Sequence, residues 1–246
     1  MYNKEKNPEP SKKDEPQRYA LIVSGYTGDR THAGWFRGST LNMYNLLRQE
    51  YNFSPSNIYY LSDSTNYSNV NYVATMGNFR AVMDEIAKRA TDRDSVFVYV
   101  VGHGNRGFDS KGNYALADGM ISGPGFAKLL SKIDAKLITV IMTQCNSGSF
   151  IPSLSGENRI IIASVEATRT NSADFANYII EGLRNGATLA SAFESAMRAT
   201  IEWYAKRGLP VAEHPLLDDN GDGVGSVAPL PNGGNGVLAA KTTLRT

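Results

Sequence analysis

Five short runs of this chain are apolar at nearly every position: Tyr19–Gly25 (YALIVSG), Asn57–Leu61 (NIYYL), Ser95–Gly102 (SVFVYVVG), Leu137–Thr143 (LITVIMT) and Arg159–Ser164 (RIIIAS). A strand with one wet face alternates apolar and polar residues, so runs that are apolar throughout predict strands covered on both faces. Helical patterns lie between them. Thr40–Tyr51 gathers Leu41, Tyr44, Leu46 and Leu47, and Met76–Ala90 gathers Phe79, Met83, Ile86 and Ala87. Gly125–Ile133, Ser172–Leu183 and Ala187–Lys206 follow. This order predicts an α/β domain built on a largely parallel sheet.

The flanks read differently. Residues Met1–Arg18 are Lys, Glu, Asp and Pro with almost nothing apolar, which predicts a disordered tail over 1–18. The domain is expected over 19–207. From Gly208 to Thr246 the chain turns to Pro, Gly, Asp and Asn, an extension packing on the same domain, with one strand candidate at Gly236–Leu244.

Lys and Arg number 25 against 24 Asp and Glu, a formal charge of +1. So even a balance offers no global field for nucleic acid or an acidic membrane. No apolar run approaches the ~20 residues of a membrane span, and the N-terminus lacks a signal-like apolar segment, so the cytoplasm is the expected location. With one cysteine, Cys145, no intramolecular disulfide exists, and three scattered His give no zinc spacing.

In open α/β sheets ligands gather at the carboxyl ends of the strands. The third apolar run leads into Gly102-His103-Gly104-Asn105, and the fourth into Gln144-Cys145-Asn146-Ser147-Gly148. Successive strands joined through a helix tend to be neighbours. His103 and Cys145 are then expected side by side, a base and a nucleophile on rigid scaffold. Gly102 and Gly104 leave the backbone open to a substrate carbonyl, Gly148 serves a sharp turn, and the N–H groups of Gly104 and Cys145 are the expected oxyanion hole. Residues 102–107 also fit G-x-G-x-x-G, but the segment after them (FDSKGNYALADG) has no helical period, which removes a dinucleotide site. No G-x-S-x-G elbow is present, so a serine hydrolase lacks its nucleophile.

The pieces VYVVGHG and IMTQCNSGS, each at the end of an apolar strand, resemble the caspase-like cysteine peptidases, and within them the legumain type. The resemblance spans about Tyr19 to Arg184. It implies a caspase-like three-layer sandwich, with helices on both faces of a mostly parallel central sheet. It also implies a cysteine endopeptidase acting on protein or peptide substrates. Cys145 would be the nucleophile and His103 the general acid/base, working through an acyl-enzyme without a required cofactor.

The chain departs from the legumain pattern in three places. Thr143 stands where that pattern has an acid two before the cysteine, Gly102 stands before the histidine, and GYTGDRTHAGWFRGS matches the Asn-x-Arg-His segment only through Arg30, His32 and Arg37. Arg37, Ser164 and Ser172 are the expected substrate-pocket residues. A basic pocket would favour Asp or Asn before the scissile bond, and an acidic one using Glu166 or Asp174 would favour Arg or Lys; Asn and Asp are the expectation. The missing acid also leaves an alternative, an inactive caspase-like binding or assembly module. Asp218-Asp219-Asn220-Gly221-Asp222-Gly223 fits half of a calcium loop, with Pro229 where an EF-hand needs Glu. Asp218, Asn220 and Asp222 are therefore candidate ligands of a looser calcium turn, set against an Asx turn that needs no ion. Oligomeric state stays open, with edge-strand pairing as one route.

Overall fold

The apolar runs become the five inner strands of one sheet. In chain order the elements are β1 (Arg18–Ser24), α1 (Arg30–Gln49), β2 (Ile58–Ser62), β3 (Tyr72–Val73), α2 (Met76–Arg89), β4 (Ser95–Val101), β5 (Gly104–Asn105), β6 (Asn113–Leu116), β7 (Gly119–Ser122) and α3 (Gly123–Leu130). They continue with β8 (Leu137–Met142), α4 (Ile151–Leu154), β9 (Arg159–Ala163), α5 (Phe175–Leu183), α6 (Leu189–Ala205) and β10 (Leu216–Asp218). The computed structural model describes residues 15–172, 174–231 and 233–245. The main sheet runs β10-β9-β8-β4-β1-β2-β3, parallel throughout except for β10, and β5-β6-β7 form a small antiparallel sheet.

Alternation along each strand divides the core into two layers. Leu21, Val23, Val98 and Val100 face one way, toward Phe79, Met83 and Ile86 of α2 and Phe126 and Leu130 of α3. Ala20, Ile22, Phe97 and Tyr99 face the other way, toward Met43 and Leu47 of α1, Ile179 and Leu183 of α5 and Phe193 of α6. Covering on both sides is why these strands carry no polar stripe. The result is a three-layer α/β sandwich. Among the described residues no helix is long and apolar enough to cross a membrane.

Four local expectations are corrected. Helix α1 begins at Arg30, ten residues before the apolar period suggested, because Asp29 caps it by accepting the N–H groups of Thr31 and His32 at 2.8 and 2.9 Å. Leu41 accordingly turns outward. The segment after His103 is the small sheet β5-β6-β7 instead of plain turns. Gly236–Leu244 is not a strand: Gly236 has φ +102° and Ala239–Lys241 is a short 3-10 turn. Arg18 opens β1 instead of ending a tail. Its guanidinium lies 4.7 Å from the Phe53 ring centre and donates to the Leu244 carbonyl at 2.8 Å. Gln17 is held as well, its N–H donating to Asp94 Oδ1 at 2.6 Å, and residues 1–14 of the expected tail lie outside the described residues.

The reason for the third correction sits on the C-terminal extension. Asp219, nearly buried, accepts the N–H groups of Gly236 at 2.6 Å and Ala239 at 2.7 Å. That carboxylate bends residues 236–241 into a turn, while β10 pairs with β9 and seats Leu217, Ala239 and Leu244 in the core. Replacing Asp219 by Ala strands two buried donors, each worth about 1–3 kcal/mol. Asp219→Ala is expected to lose at least about 2 kcal/mol of unfolding free energy, measured by urea denaturation, because both donors lose their acceptor together.

Candidate active site

Strands β4 and β8 are direct parallel neighbours, with Val100 opposite Met142. The loops that leave their carboxyl ends therefore emerge together, and His103 and Cys145 line one cavity of about 330 Å³. On the other side of β4 lies β1, where the connections reverse direction: β1 leads through α1 to β2 on one flank, and β4 leads on to β8 at the other. The cavity opens above this switch point, where such sheets bind ligands.

Each reactive side chain is held by its surroundings. His103 Nε2 lies 3.3 Å from the carbonyl oxygen of Thr27, just past β1. A carbonyl only accepts, so Nε2 carries the proton and Nδ1 holds the free lone pair of the neutral ring. The ring also meets Phe36 and His32 edge-on, at 5.1 and 4.8 Å between centres. Cys145 is half-buried, and its Sγ accepts the N–H of Asn171 at 3.3 Å. The Asn171 side chain in turn donates to the Thr143 carbonyl at 2.7 Å, which ties the loop after β9 to the end of β8.

Ser147 and Gly148 of the cysteine motif act by close approach. Gly148 keeps a negative φ; its need is space, since a Cβ there would stand 2.8 Å from the Val165 carbonyl and 2.9 Å from the Ala167 nitrogen. Ser147 Oγ contacts Ser164 Oγ at 3.2 Å, and Gly148 N–H donates to the Val165 carbonyl at 2.9 Å. Asn146, left-handed at φ +58°, adds bonds to Arg169 and Ala167. These contacts clamp the cysteine turn onto the 164–171 segment.

Gly104 is constrained from the other side. A Cβ on it would sit 2.4 Å from Gln144 Cγ and 2.9 Å from the Cys145 carbonyl oxygen. Ala115 N–H donates to the His103 carbonyl, so 103 and 115 form a bonded pair of the β5–β6 ladder. Bonded and non-bonded pairs alternate, so Gly104, opposite Tyr114, belongs to a non-bonded pair and aims its N–H away from β6. Among the described residues no acceptor takes the Cys145 N–H either. Two main-chain donors thus stay free beside the thiol.

The pocket residues divide. Ser172 lines the cavity. Ser164 does not: it is wholly buried against Ser147, beneath the floor. Arg37 does not line it either. It lies inside α1 and stacks 4.1 Å from the Tyr67 ring centre, bordering a separate groove with Gly34, Gly38 and Leu41. Its displacement follows from the early start of α1, which turns position 37 away from the site. Glu166 also stands apart, accepting the His214 N–H at 3.0 Å and lying 2.6 Å from His214 Nδ1.

Sequence reasoning named His32, and expected the 164–172 segment that holds Asn171 as a pocket wall, but it missed Trp35, Phe36, Trp203 and Asn177. The one legible signal was Asp29 three residues before His32, a helix-start pattern. Asp174, which the sequence offered as an acidic wall, does line the cavity, at the cap of α5. No Lys or Arg lines it among the described residues.

The acidic turn uses its oxygens internally. Asn220 Oδ1 accepts the Asp222 N–H, Asp222 Oδ1 accepts the Val224 N–H, and Asn220 Nδ2 donates to Asp222 Oδ2. Asp218 Oδ1 accepts the Gly221 N–H, leaving Asp218 Oδ2 as a buried oxygen without a partner. Among the described residues no group of three or more His, Cys, Asp or Glu is placed to hold a metal ion. These bonds are those of an Asx turn, which needs no ion. On that reading the thermal midpoint is expected to be the same in chelator and in millimolar calcium, read by scanning calorimetry.

Glu166 predicts a pH effect. Burial pushes its carboxyl up, but the N–H of His214, its own N–H and the His214 ring together pull it lower than usual. A carboxylate lowered on folding contributes stability that is complete above its ordinary value of about 4.3 and is lost as pH falls through the lowered value. Glu166→Gln is therefore expected to be less stable than the parent at pH 6–7, with the gap closing in acid, measured as urea midpoints across pH.

Residues 21–154, a span containing both His103 and Cys145, match the family described as metacaspase, peptidase C14 domain. No curated protein matches the chain. Among solved structures, GSU0716 of Geobacter sulfurreducens is similar, with a TM-score of 0.58 at 13% identity, covering 88% of this chain and 96% of that one. At that identity the likeness is one of fold. The family match supports the caspase-like kinship but not the narrower legumain type. The matched span exceeds half of the sequence, and the chain belongs to the metacaspase, peptidase C14 domain family.

Proposed function

We propose that the protein is a cysteine endopeptidase working through a Cys145–His103 dyad. The observation that carries this reading is the convergence of the only cysteine and a tautomer-fixed histidine on one cavity at the ends of adjacent parallel strands. His103 Nδ1 takes up the Cys145 proton, and the thiolate attacks the substrate carbonyl carbon. The resulting oxyanion is received by the N–H groups of Gly104 and Cys145. His103 then protonates the departing amine, and water, deprotonated by the same ring, hydrolyses the thioester to release the acid and restore the thiol. The binding-module alternative finds no support in this arrangement, since a purely structural site has no use for free main-chain donors beside a half-buried thiol.

The residue before the scissile bond enters a cavity walled by Asn171, Ser172, Asp174 and Asn177. Asp174 is the one carboxylate on that wall among the described residues, with no Lys or Arg to offset it. A substrate Asp would be repelled there, and a cationic side chain would be attracted. Arg or Lys is therefore the preferred residue of the proposal.

A fluorogenic peptide panel varying only that position (Asn, Asp, Arg, Lys, Gln, Leu) tests both claims. Turnover that falls at least about 10³-fold in Cys145→Ala and is highest for Arg or Lys is the expected outcome. Turnover highest for Asn or Asp would overturn the role given to Asp174. Silence across the panel, with Cys145 no more reactive than a free thiol, would overturn the peptidase reading.

A further inference from the structure

The first turn of α1 holds a polar chain that the dyad mechanism does not use. Asp29 caps the helix with Oδ1, while its Oδ2 lies 2.6 Å from His32 Nδ1. These contacts hold the Asp29 carboxyl below the usual range, the backbone N–H of His32 contributing most. An ionised carboxylate accepts only, so His32 Nδ1 bears the proton and the ring is pinned in one orientation. Pinned in this way, it meets the His103 ring at 4.8 Å between centres and 64° between planes. One helical turn later on the same face, Phe36 meets His103 at 5.1 Å and 77°.

We propose that His32, anchored by Asp29, is a positioning residue for His103, rebuilding with aromatic edges from α1 the orientation that other bases take from a carboxylate partner. This rests on the peptidase reading above. With Nε2 held by a single main-chain carbonyl at 3.3 Å, the imidazole still has freedom to swing about that contact. His32 and Phe36 bear on the ring at 4.8 and 5.1 Å, and both are offered by one element whose start is capped by Asp29. The part of His32 that matters to His103 is therefore its ring, in edge contact, more than its polar atoms.

The full-length chain with His32→Ala, His32→Phe and His32→Gln tests this. Ala removes the ring, Phe keeps an aromatic edge without the polar atoms, and Gln keeps a polar group without the ring. Each is assayed for kcat and KM on the peptide the parent cleaves best, and for the rate of Cys145 alkylation by iodoacetamide. Thermal midpoints show that each variant is folded. His32→Ala is expected to lose about tenfold or more in kcat with KM within about twofold, the mark of a misplaced reacting group. His32→Phe should recover most of that loss and His32→Gln should not, and alkylation should follow the same order. A Gln variant as active as the parent, or a loss carried by KM, would overturn the proposal and make His32 a substrate contact. If the parent cleaves no peptide, the alkylation series still decides: dependence on a ring at position 32 sustains the inference while the peptidase reading fails, and indifference sinks it. Should His32→Ala not fold, the comparison of Phe with Gln decides in the same way.

Discussion

The pairing of β4 with β8 is the contact on which the site depends. Parallel neighbours in register deliver their following loops to the same edge, so a histidine and a cysteine far apart in the chain arrive together without any bond between them. The register holds because both strands are apolar on both faces: slipping by one residue would exchange the side chains directed at α2 and α3 for those directed at α5 and α6. Val98 and Val100 belong to one layer, Phe97 and Tyr99 to the other. A slip would present each layer with the wrong volumes.

Above that register, backbone proximity shapes the site more than side chains do. Gly104 lies against Gln144 and Cys145, and Gly148 lies against Val165 and Ala167, at separations that exclude a Cβ. The histidine loop, the cysteine turn and the segment after β9 are thus packed main chain to main chain. Small displacements of one are transmitted to the others, as expected of a close-packed interior. The free N–H groups of Gly104 and Cys145 are what this packing leaves over, and receiving an oxyanion is the role proposed for them.

The ends of the chain reinforce the frame from outside. Arg18, at the start of β1, donates to the Leu244 carbonyl, and Asp219 bends residues 236–241 into the core layer shared with α6. The bridge between Leu217 and Ser226 lies along β10 and partners part of that edge, which lessens its exposure as a template for another strand. Acidic residues that look like ion ligands in the sequence act as acceptors for their own turn. A charged side chain with several backbone N–H groups within reach is satisfied by them before any ion is needed.

The inner strands and the two residues to examine were legible in the residues alone. Continuous β-branched runs betray strands covered on both sides, and a Cys and a His directly after two such runs stand at the sheet edge where ligands collect. The sequence did not determine the walls. Where α1 begins depended on the cap at Asp29, and with Gly34 and Gly38 weakening the apolar period the helix over 30–39 was illegible; Trp35 and Phe36 were hidden with it, as was the side from which His32 meets the cavity. Arg37 lay near the site in sequence but faces Tyr67, because a helix turns each residue by about 100° and only its true start fixes the direction. Strand identity is local and can be read from composition. Direction and contact across the cavity come from how separate elements pack, and only the tertiary structure decides that.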